Sequence, residues 1–452
     1  MMMPLLLQVL FYMIFAWFMI ELVMRLWPVK TGYYGSITRL DVRSLQDKFG
    51  LIVNSGEDWV HLGWIADPDH EAYHVFHTAD GTKHLLGTTD FGSYLVKNQS
   101  GLFEVKAKSK QNGELRLIGK TEVNTTGKTA PVHRPVISGK WQFLFKPNKQ
   151  GFYINDHTIF QDGNGNWRLI GITSKTSGEF SSEKYFASGF SSEFPDPSGM
   201  QEAEPVADFN ETAWAPCVIK KDRTYHLFWS PHRLEQMQSL DGISWTDKRT
   251  IITKPYRPYF RDPMVLKVGP NQWLLYTTAR GFFFSRVDMY QSFDLEHWQY
   301  IRPAMVNSWG SECNSAFAST ESPFVVKFKD QYYLSVTMNN GTFFWHGLFL
   351  MLKKWSNPDS YNHTRVLHSN CPYDFGVYHG KERTINLAAS LQAHAPEYVF
   401  VPKSGKWFIT TAGWPWAATL TEGEAAVAPL EWIPIEGFST EVNVIDNEEK
   451  NG

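Results

Sequence analysis

Three cysteines in 452 residues are too few for a disulfide framework, and no Cys-x-x-Cys pair marks a zinc ribbon. A surplus of charge of one sign is also missing. Lys plus Arg number 43 and Asp plus Glu 46, for a formal net charge of −3. That balance excludes bulk attraction to nucleic acid and an acidic solvating tail. With 20% charged and 43% apolar residues the chain is globular, not disordered.

Long apolar runs are nearly absent. The exception is residues 4–27, PLLLQVLFYMIFAWFMIELVMRLW. Its uninterrupted stretch, Val9 to Ile20, is short for a spanning helix of about 20 residues, and the flanks extend it. We expect an N-terminal apolar helix here, with residues 1–30 acting as a signal or membrane anchor. No basic residue precedes the run and no A-x-A-like site follows it, which weighs against a cleaved signal. Arg25 and Lys30 on its C-terminal side favour a cytosolic body. Sequons at Asn98, Asn124, Asn210, Asn340 and Asn362 favour a secreted glycoprotein. The expectation is a secreted or membrane-anchored protein with its body outside the cytosol and membrane contact through residues 4–27.

What is abundant is aromatic. Phe 32, Tyr 19 and Trp 18, with 33 Gly and 24 Pro, describe short strands joined by tight turns. From residue 150 the chain repeats: a small polar or acidic residue, usually Pro, three or four β-formers, a turn, then an aromatic strand. The repeats open at Asp156-His157, Ala215-Pro216, Asp262-Pro263, Ser322-Pro323 and Ala395-Pro396. From His157 or the Pro to the first aromatic (Trp167, Tyr225, Trp273, Tyr332, Trp407) the offsets are 10, 9, 10, 9 and 11. Ser239-x-Asp241-x-x-x-Trp245 and Ser292-x-Asp294-x-x-x-Trp298 share a second element, in which the Asp closes a turn and the Trp returns into a strand. Five such units predict an all-β chain with a five-bladed β-propeller over 146–437. Residues 31–145 lack the repeat and predict an accessory β domain, a small sandwich. Residues 438–452 are a polar tail.

In a propeller the innermost strands open at one mouth, so opening residues far apart in sequence converge. Asp156, Asp262 and Glu321 would meet there, with Trp214 opening the second repeat and His394 and Glu397 the fifth. Converging carboxyls beside aromatics suit sugar chemistry. One carboxyl protonates a leaving oxygen while another attacks or activates water, and aromatic faces stack on sugar rings. A lone Asp in such a place is more often a turn-former. The register of three is what points to function.

These motifs resemble the five-bladed propeller glycosidases of families 32, 43, 62 and 68. Tyr153-Ile154-Asn155-Asp156 resembles the first-blade motif that carries the Asp nucleophile or base. Tyr259-Phe260-Arg261-Asp262-Pro263 is similar to the family 32 F-R-D-P motif, whose Asp stabilises the transition state. Glu321-Ser322-Pro323-Phe324 resembles the family 43 motif with the general acid Glu, and Trp214-Ala215-Pro216 its second-blade W-A-P. Two departures stand out. His157-Thr158 follows Asp156 where family 32 has Pro-Asn, and Ser322 stands where family 32 has Cys. Glu312, in an E-C pair, is the lesser candidate for the acid.

The resemblance implies Asp156, Asp262 and Glu321 as catalytic groups and Asn155, His157, Trp214, Arg261 and His394 as substrate-binding groups. Glu321 should be kept protonated by burial among Phe317, Pro323 and Phe324, and Asp156 should be ionised. His232 is a further residue that could line the cleft. No cofactor is required. His394 resembles a fifth-blade His beside a channel ion in some family 43 enzymes, so a channel Ca is the one metal to consider. The implied activity is hydrolysis of a furanoside or pentoside in an oligo- or polysaccharide, arabinofuranosidase- or xylosidase-like. A β-fructofuranosidase-like enzyme, a phosphorylase or transglycosylase, and a non-catalytic carbohydrate-binding propeller are the alternatives. No clear Arg or Lys cluster marks a phosphate pocket.

Overall fold

The structure is a computed structural model. It describes residues 35–435 except 128–129, 176–179, 207–208, 258, 281–284, 309–310, 314–318, 340–360, 415–420 and 422. Of the apolar run it describes only Gln8, 11–13, 15–16 and Met19, and among the described residues no helix is long and apolar enough to cross a membrane. Those seven residues are helical; the rest of that segment lies outside the described residues, as do Phe317, Asn340 and the tail 438–452.

Among the described residues beyond 35 the regular structure is strand apart from one α-helix and one short 3-10 turn. Five sheets follow one another, here numbered 1 to 5, antiparallel except for the short strand Val377–Tyr378, which pairs parallel at the edge of sheet 3. Their opening strands are Asn155–Gln161, Trp214–Lys221, Arg261–Gly269, Ser319–Phe328 and Tyr398–Val401, and each pairs with the strand that follows it in the chain. The expected repeats are these hairpins. Both Ser-x-Asp elements are turns closed by their carboxylates. Asp241 Oδ1 accepts from the N–H of Ile243 and of Ser244 at 2.8 Å, and Asp294 Oδ1 from Glu296 and His297 at 2.9 and 2.8 Å. Trp298 begins a strand as expected, whereas after Trp245 the strand starts only at Arg249.

The cores lie between consecutive sheets. Strand side chains alternate between faces, so neighbours in sequence serve different cores. In sheet 3, Trp273 and Leu275 pack toward sheet 2 with Cys217, Phe228 and Leu234, while Leu274 and Tyr276 pack toward sheet 4 with Val325, Leu334 and Leu367. Sheets 1 and 2 meet at Ile170, Phe186, Leu227 and Trp229, sheets 4 and 5 at Tyr333, Val366, Ile409 and Leu430, and sheets 5 and 1 at Val399, Phe408, Trp167 and Leu169. The repeat aromatics Trp167, Trp273 and Tyr332 are buried in these cores, which explains their fixed offset.

Hydrogen bonds between neighbouring sheets run the whole way round. Val218 N–H donates to Thr158, Val265 N–H to Cys217, Ser322 N–H to Asp262, Ala395 N–H to Thr337, and Ile159 N–H back to Glu397.

Two features depart from expectation. The strand His133–Ile137 pairs with Ala425–Pro434 in sheet 5, and Gln142–Phe145 also pairs there. Residues 133–145 thus belong with the repeats and not with the region 31–145 assigned to the accessory domain. Pairing an early strand with the last one ties the two ends of the repeat together. The helix Arg39–Phe49 was also not foreseen; its Val42 and Leu45 pack with Ile65 and with Phe293 of the sheet 3 turn. Between them, a three-stranded sheet and a four-stranded sheet over residues 52–123 enclose Val60, Leu62, Trp64, Val75, Phe103 and Val105, a small sandwich core.

Leu274 is fully buried between sheets 3 and 4. Leu274→Ala should lower unfolding free energy by about 2–5 kcal/mol, from lost transfer energy plus the cavity left behind. Urea denaturation followed by tryptophan emission checks this.

Candidate active site

The opening strands place the site through one repeated backbone device. In sheets 2 to 5 the residue before Pro has a left-handed φ: Ala215 49°, Asp262 55°, Ser322 46° and Ala395 44°. A following Pro disfavours the right-handed helical region for these residues. Left-handed backbone at a non-Gly residue costs on the order of 1–3 kcal/mol and persists only where the surroundings enforce it. The strand register also shifts here, between Trp214 and Cys217, Arg261 and Met264, and Glu321 and Phe324, with a matching shift between Asn155 and His157 in sheet 1. A bulge re-aims side chains. Here it leaves two neighbouring residues per sheet at the mouth. One set is Asn155, Trp214, Arg261, Glu321 and His394; the next is Asp156, Ala215, Asp262, Ser322 and Ala395.

The second set walls a small cavity with contributions from all five sheets. Asp156 Oδ1 accepts from Ser322 Oγ at 2.8 Å. Asp262 Oδ2 accepts from Thr278 Oγ1 and from Ser322 N–H, each at 3.0 Å, and Asp262 N–H donates to Ser230 Oγ at 3.1 Å. Beside them, Glu321 Oε1 accepts from Arg261 Nη2, from Ser319 Oγ at 2.6 Å and from Asn339 Nδ2 at 3.0 Å. All three carboxyls are buried.

The charges there are strongly coupled, and the protonation pattern reverses the expectation. Burial pushes Asp156 well above the ordinary carboxyl range, and the charges of Asp262 and Glu321 add to it. Asp262 is also raised, by burial first, with Arg261 opposing and Glu321 adding. Glu321 is the exception. Burial pushes it up, but the Arg261 guanidinium and the donors Ser319, Asn339 and Tyr361 bring it down to about 2. Without a sugar, then, Glu321 favours its ionised form, and the raised proton affinity lies with Asp156 and Asp262. The sequence reading weighed burial and overlooked Arg261 one sheet away. Arg261, the cation of this cluster, is held charged: burial works against it, and Glu321 and Asp262 outweigh that.

The remaining expected residues fall around this centre. Asn155 Nδ2 lies 3.4 Å from Asp156 Oδ2. His157 shares a hydrogen bond of 2.7 Å with Thr410 of sheet 5, and burial followed by His394 lowers it to about 3. His394 is bonded through Nδ1 to the Ala412 carbonyl and is lowered by burial to about 4. Both rings are neutral; His157 bridges sheets 1 and 5, and the His394 bond stays within sheet 5. Trp214 is half-buried and, with Ser230, His232 and Arg233, lines an adjoining cleft of about 360 Å³. Glu312 is bonded to Arg365 and Tyr378. Asn339, Ser319 and Thr278 were missed, because no motif sets them apart from other polar strand residues.

Calcium takes six to eight oxygen ligands. Among the described residues no group of three or more His, Cys, Asp and Glu is arranged to hold a metal ion. Besides the aspartates the cavity wall has His157, Cys217, Met264, Phe324, four prolines and one further carboxyl, Glu397. These residues do not fit a calcium ion.

Residues 202–374 match the family model described as "Glycosyl hydrolases family 32 N-terminal domain". The matched region holds Trp214, Arg261, Asp262 and Glu321; Asp156 and His394 lie outside it. Solved structures similar to this chain include a thermostable family-43 glycoside hydrolase, at 13% identity and TM-score 0.46 over 65% of this chain and 94% of the other. A fructofuranosidase from Schwanniomyces occidentalis has 13% identity and TM-score 0.45 over 65% and 59%. An alpha-L-arabinofuranosidase from Podospora anserina has 13% identity and TM-score 0.42 over 65% and 97%. No curated protein sequence matches the chain.

The protonation pattern has a stability consequence. Asp156 is raised in the folded protein above its ordinary 3.8. Its contribution is therefore fully present below about pH 3.8 and is lost as pH rises through the folded value. Asp156→Asn removes that loss. The variant should melt above wild type at pH 7, and the difference should shrink toward zero at pH 3, as checked by calorimetry at both values.

Proposed function

We propose that this protein, a glycosidase by its match to the family 32 N-terminal domain, hydrolyses furanoside or pentoside units of an oligo- or polysaccharide in the manner of arabinofuranosidases and xylosidases. Sheets 1 to 5 are, on this reading, the blades of a five-bladed propeller. The observation that carries the proposal is the position of Ser322. Its hydroxyl is on Asp156, its N–H is on Asp262, and its neighbour is Glu321. Three carboxyls from three sheets thus share one mouth beside a cleft walled by Trp214.

The assigned roles follow from the chemistry. Asp156 attacks the anomeric carbon or deprotonates water, Asp262 accepts sugar hydroxyls and opposes developing positive charge, and Glu321 protonates the leaving oxygen. Glu321 must first receive a proton, and the raised proton affinity at rest lies with Asp156 and Asp262. Substrate that takes up Arg261 as a donor to its own hydroxyls weakens the hold on Glu321 and raises its proton affinity. A second reading exchanges the two: Asp156, already protonated, is the acid, and the ionised Glu321 is the nucleophile or base. The order of proton affinities favours it.

Leaving-group dependence separates the two. With aryl arabinofuranosides, xylosides, galactosides and fructosides as the panel, an acid-deficient variant should lose about 10²–10⁴-fold on poor leaving groups and little on activated dinitrophenyl glycosides. Glu321→Gln should behave this way, and Asp156→Asn should lose activity on both. The opposite pattern exchanges the roles. If wild type binds glycans but cleaves none across the panel, the protein is a binding propeller and the hydrolase proposal fails.

A further inference from the structure

Glu183 lies in the loop between the second and third strands of sheet 1 and is fully buried. It has no part in the reaction assigned above, and the sequence reading found no motif around it. Its Oε1 accepts from the Tyr153 hydroxyl and from the Trp414 indole N–H at 2.9 Å, and the Trp214 indole N–H also favours its ionised form. Its backbone carbonyl accepts from Ala213 N–H at 2.8 Å, directly before Trp214. One residue of sheet 1 therefore holds the residue that walls the cleft in sheet 2 and an indole that follows the second strand of sheet 5.

The second indole leads back to the carboxyls. Trp414 packs with Tyr153 and with Tyr361, whose ring is edge-on to it at 5.6 Å. Asn339 Nδ2 lies 2.9 Å from the Tyr361 hydroxyl and 3.0 Å from Glu321 Oε1. An ionised carboxyl can accept on both oxygens from the donors around it. A carboxamide or protonated acid gives up part of that accepting capacity.

We propose that Glu183 is a positioning residue of this site, fixing Trp214 as the wall against which a sugar ring stacks and Trp414 as the backing of the Tyr361–Asn339–Glu321 chain. The inference rests on the glycosidase reading for its sugar, on the Glu183 Oε1 hydrogen bond for Trp414, and on the Ala213 backbone bond and the favourable indole beside Glu183 for Trp214. Burial raises Glu183 to about 7, with Tyr153, Trp414 and Trp214 opposing. The groups packed around it are those three, with Lys184 next in the chain and Tyr361 and neutral His394 behind Trp414. Its ionisation as pH rises through neutrality tightens the indoles, so sugar binding strengthens in the same direction.

Two measurements test this on the full chain. Without sugar, tryptophan emission of wild type should titrate with a midpoint near pH 7, and that titration should vanish in Glu183→Gln. Trp414→Phe removes a donor that favours the charged form, so its midpoint should rise; this variant decides the matter if Glu183→Gln does not fold. With a glycoside that wild type cleaves, Glu183→Gln should raise KM about tenfold and change kcat less than about threefold. An unchanged titration in Glu183→Gln, an unmoved midpoint in Trp414→Phe, or a fall in kcat at constant KM overturns the proposal. If wild type cleaves nothing, the glycosidase reading falls and the emission titrations still decide the role of Glu183.

Discussion

Everything at the mouth depends on a backbone constraint repeated at the start of the sheets. Ala215, Asp262, Ser322 and Ala395 each hold a left-handed φ immediately before a proline. Such residues resist that conformation, so it lasts only where neighbouring strands impose it. They do so through hydrogen bonds: Ser322 N–H reaches Asp262, Ala395 N–H reaches Thr337, and Asp262 N–H reaches Ser230. The strain and the packing of sheet on sheet are one structure. Its result is that two consecutive side chains per sheet face the mouth, where a regular strand would turn one of them away.

That doubling permits a charge arrangement that one residue per sheet could not build. Glu321 and Ser322 are neighbours, yet one meets Arg261 and the other meets both Asp156 and Asp262. Three carboxyls in a buried space cannot all be ionised beside one guanidinium. Arg261 settles the competition in favour of Glu321, and the aspartates are left with raised proton affinity.

Much of this was legible in the chain. The offset from Pro to aromatic marked the five hairpins because a second-strand residue such as Trp273 must reach the same inter-sheet core in every repeat. Ser-x-Asp turns were readable because a carboxylate closing its own backbone is a local interaction. Asp156, Asp262 and Glu321 were picked out by register alone. Residues 133–145 were assigned to the wrong region because strand pairing across nearly 300 positions leaves no local mark. Ser322 looked like a mere departure from a family motif, and its two hydrogen bonds make it the link between sheets 1, 3 and 4.

The sequence by itself determined the strands, their repeat and the residues that open each sheet, since these follow from side-chain periodicity and turn chemistry over about ten residues. Only the tertiary structure decided how proton affinity is divided among the carboxyls. That depends on the distance from Glu321 to Arg261, 60 positions earlier, and on the burial of Asp156 against Asp262. Electrostatic energy in a desolvated space is set by such separations, and they exist only once the sheets have packed.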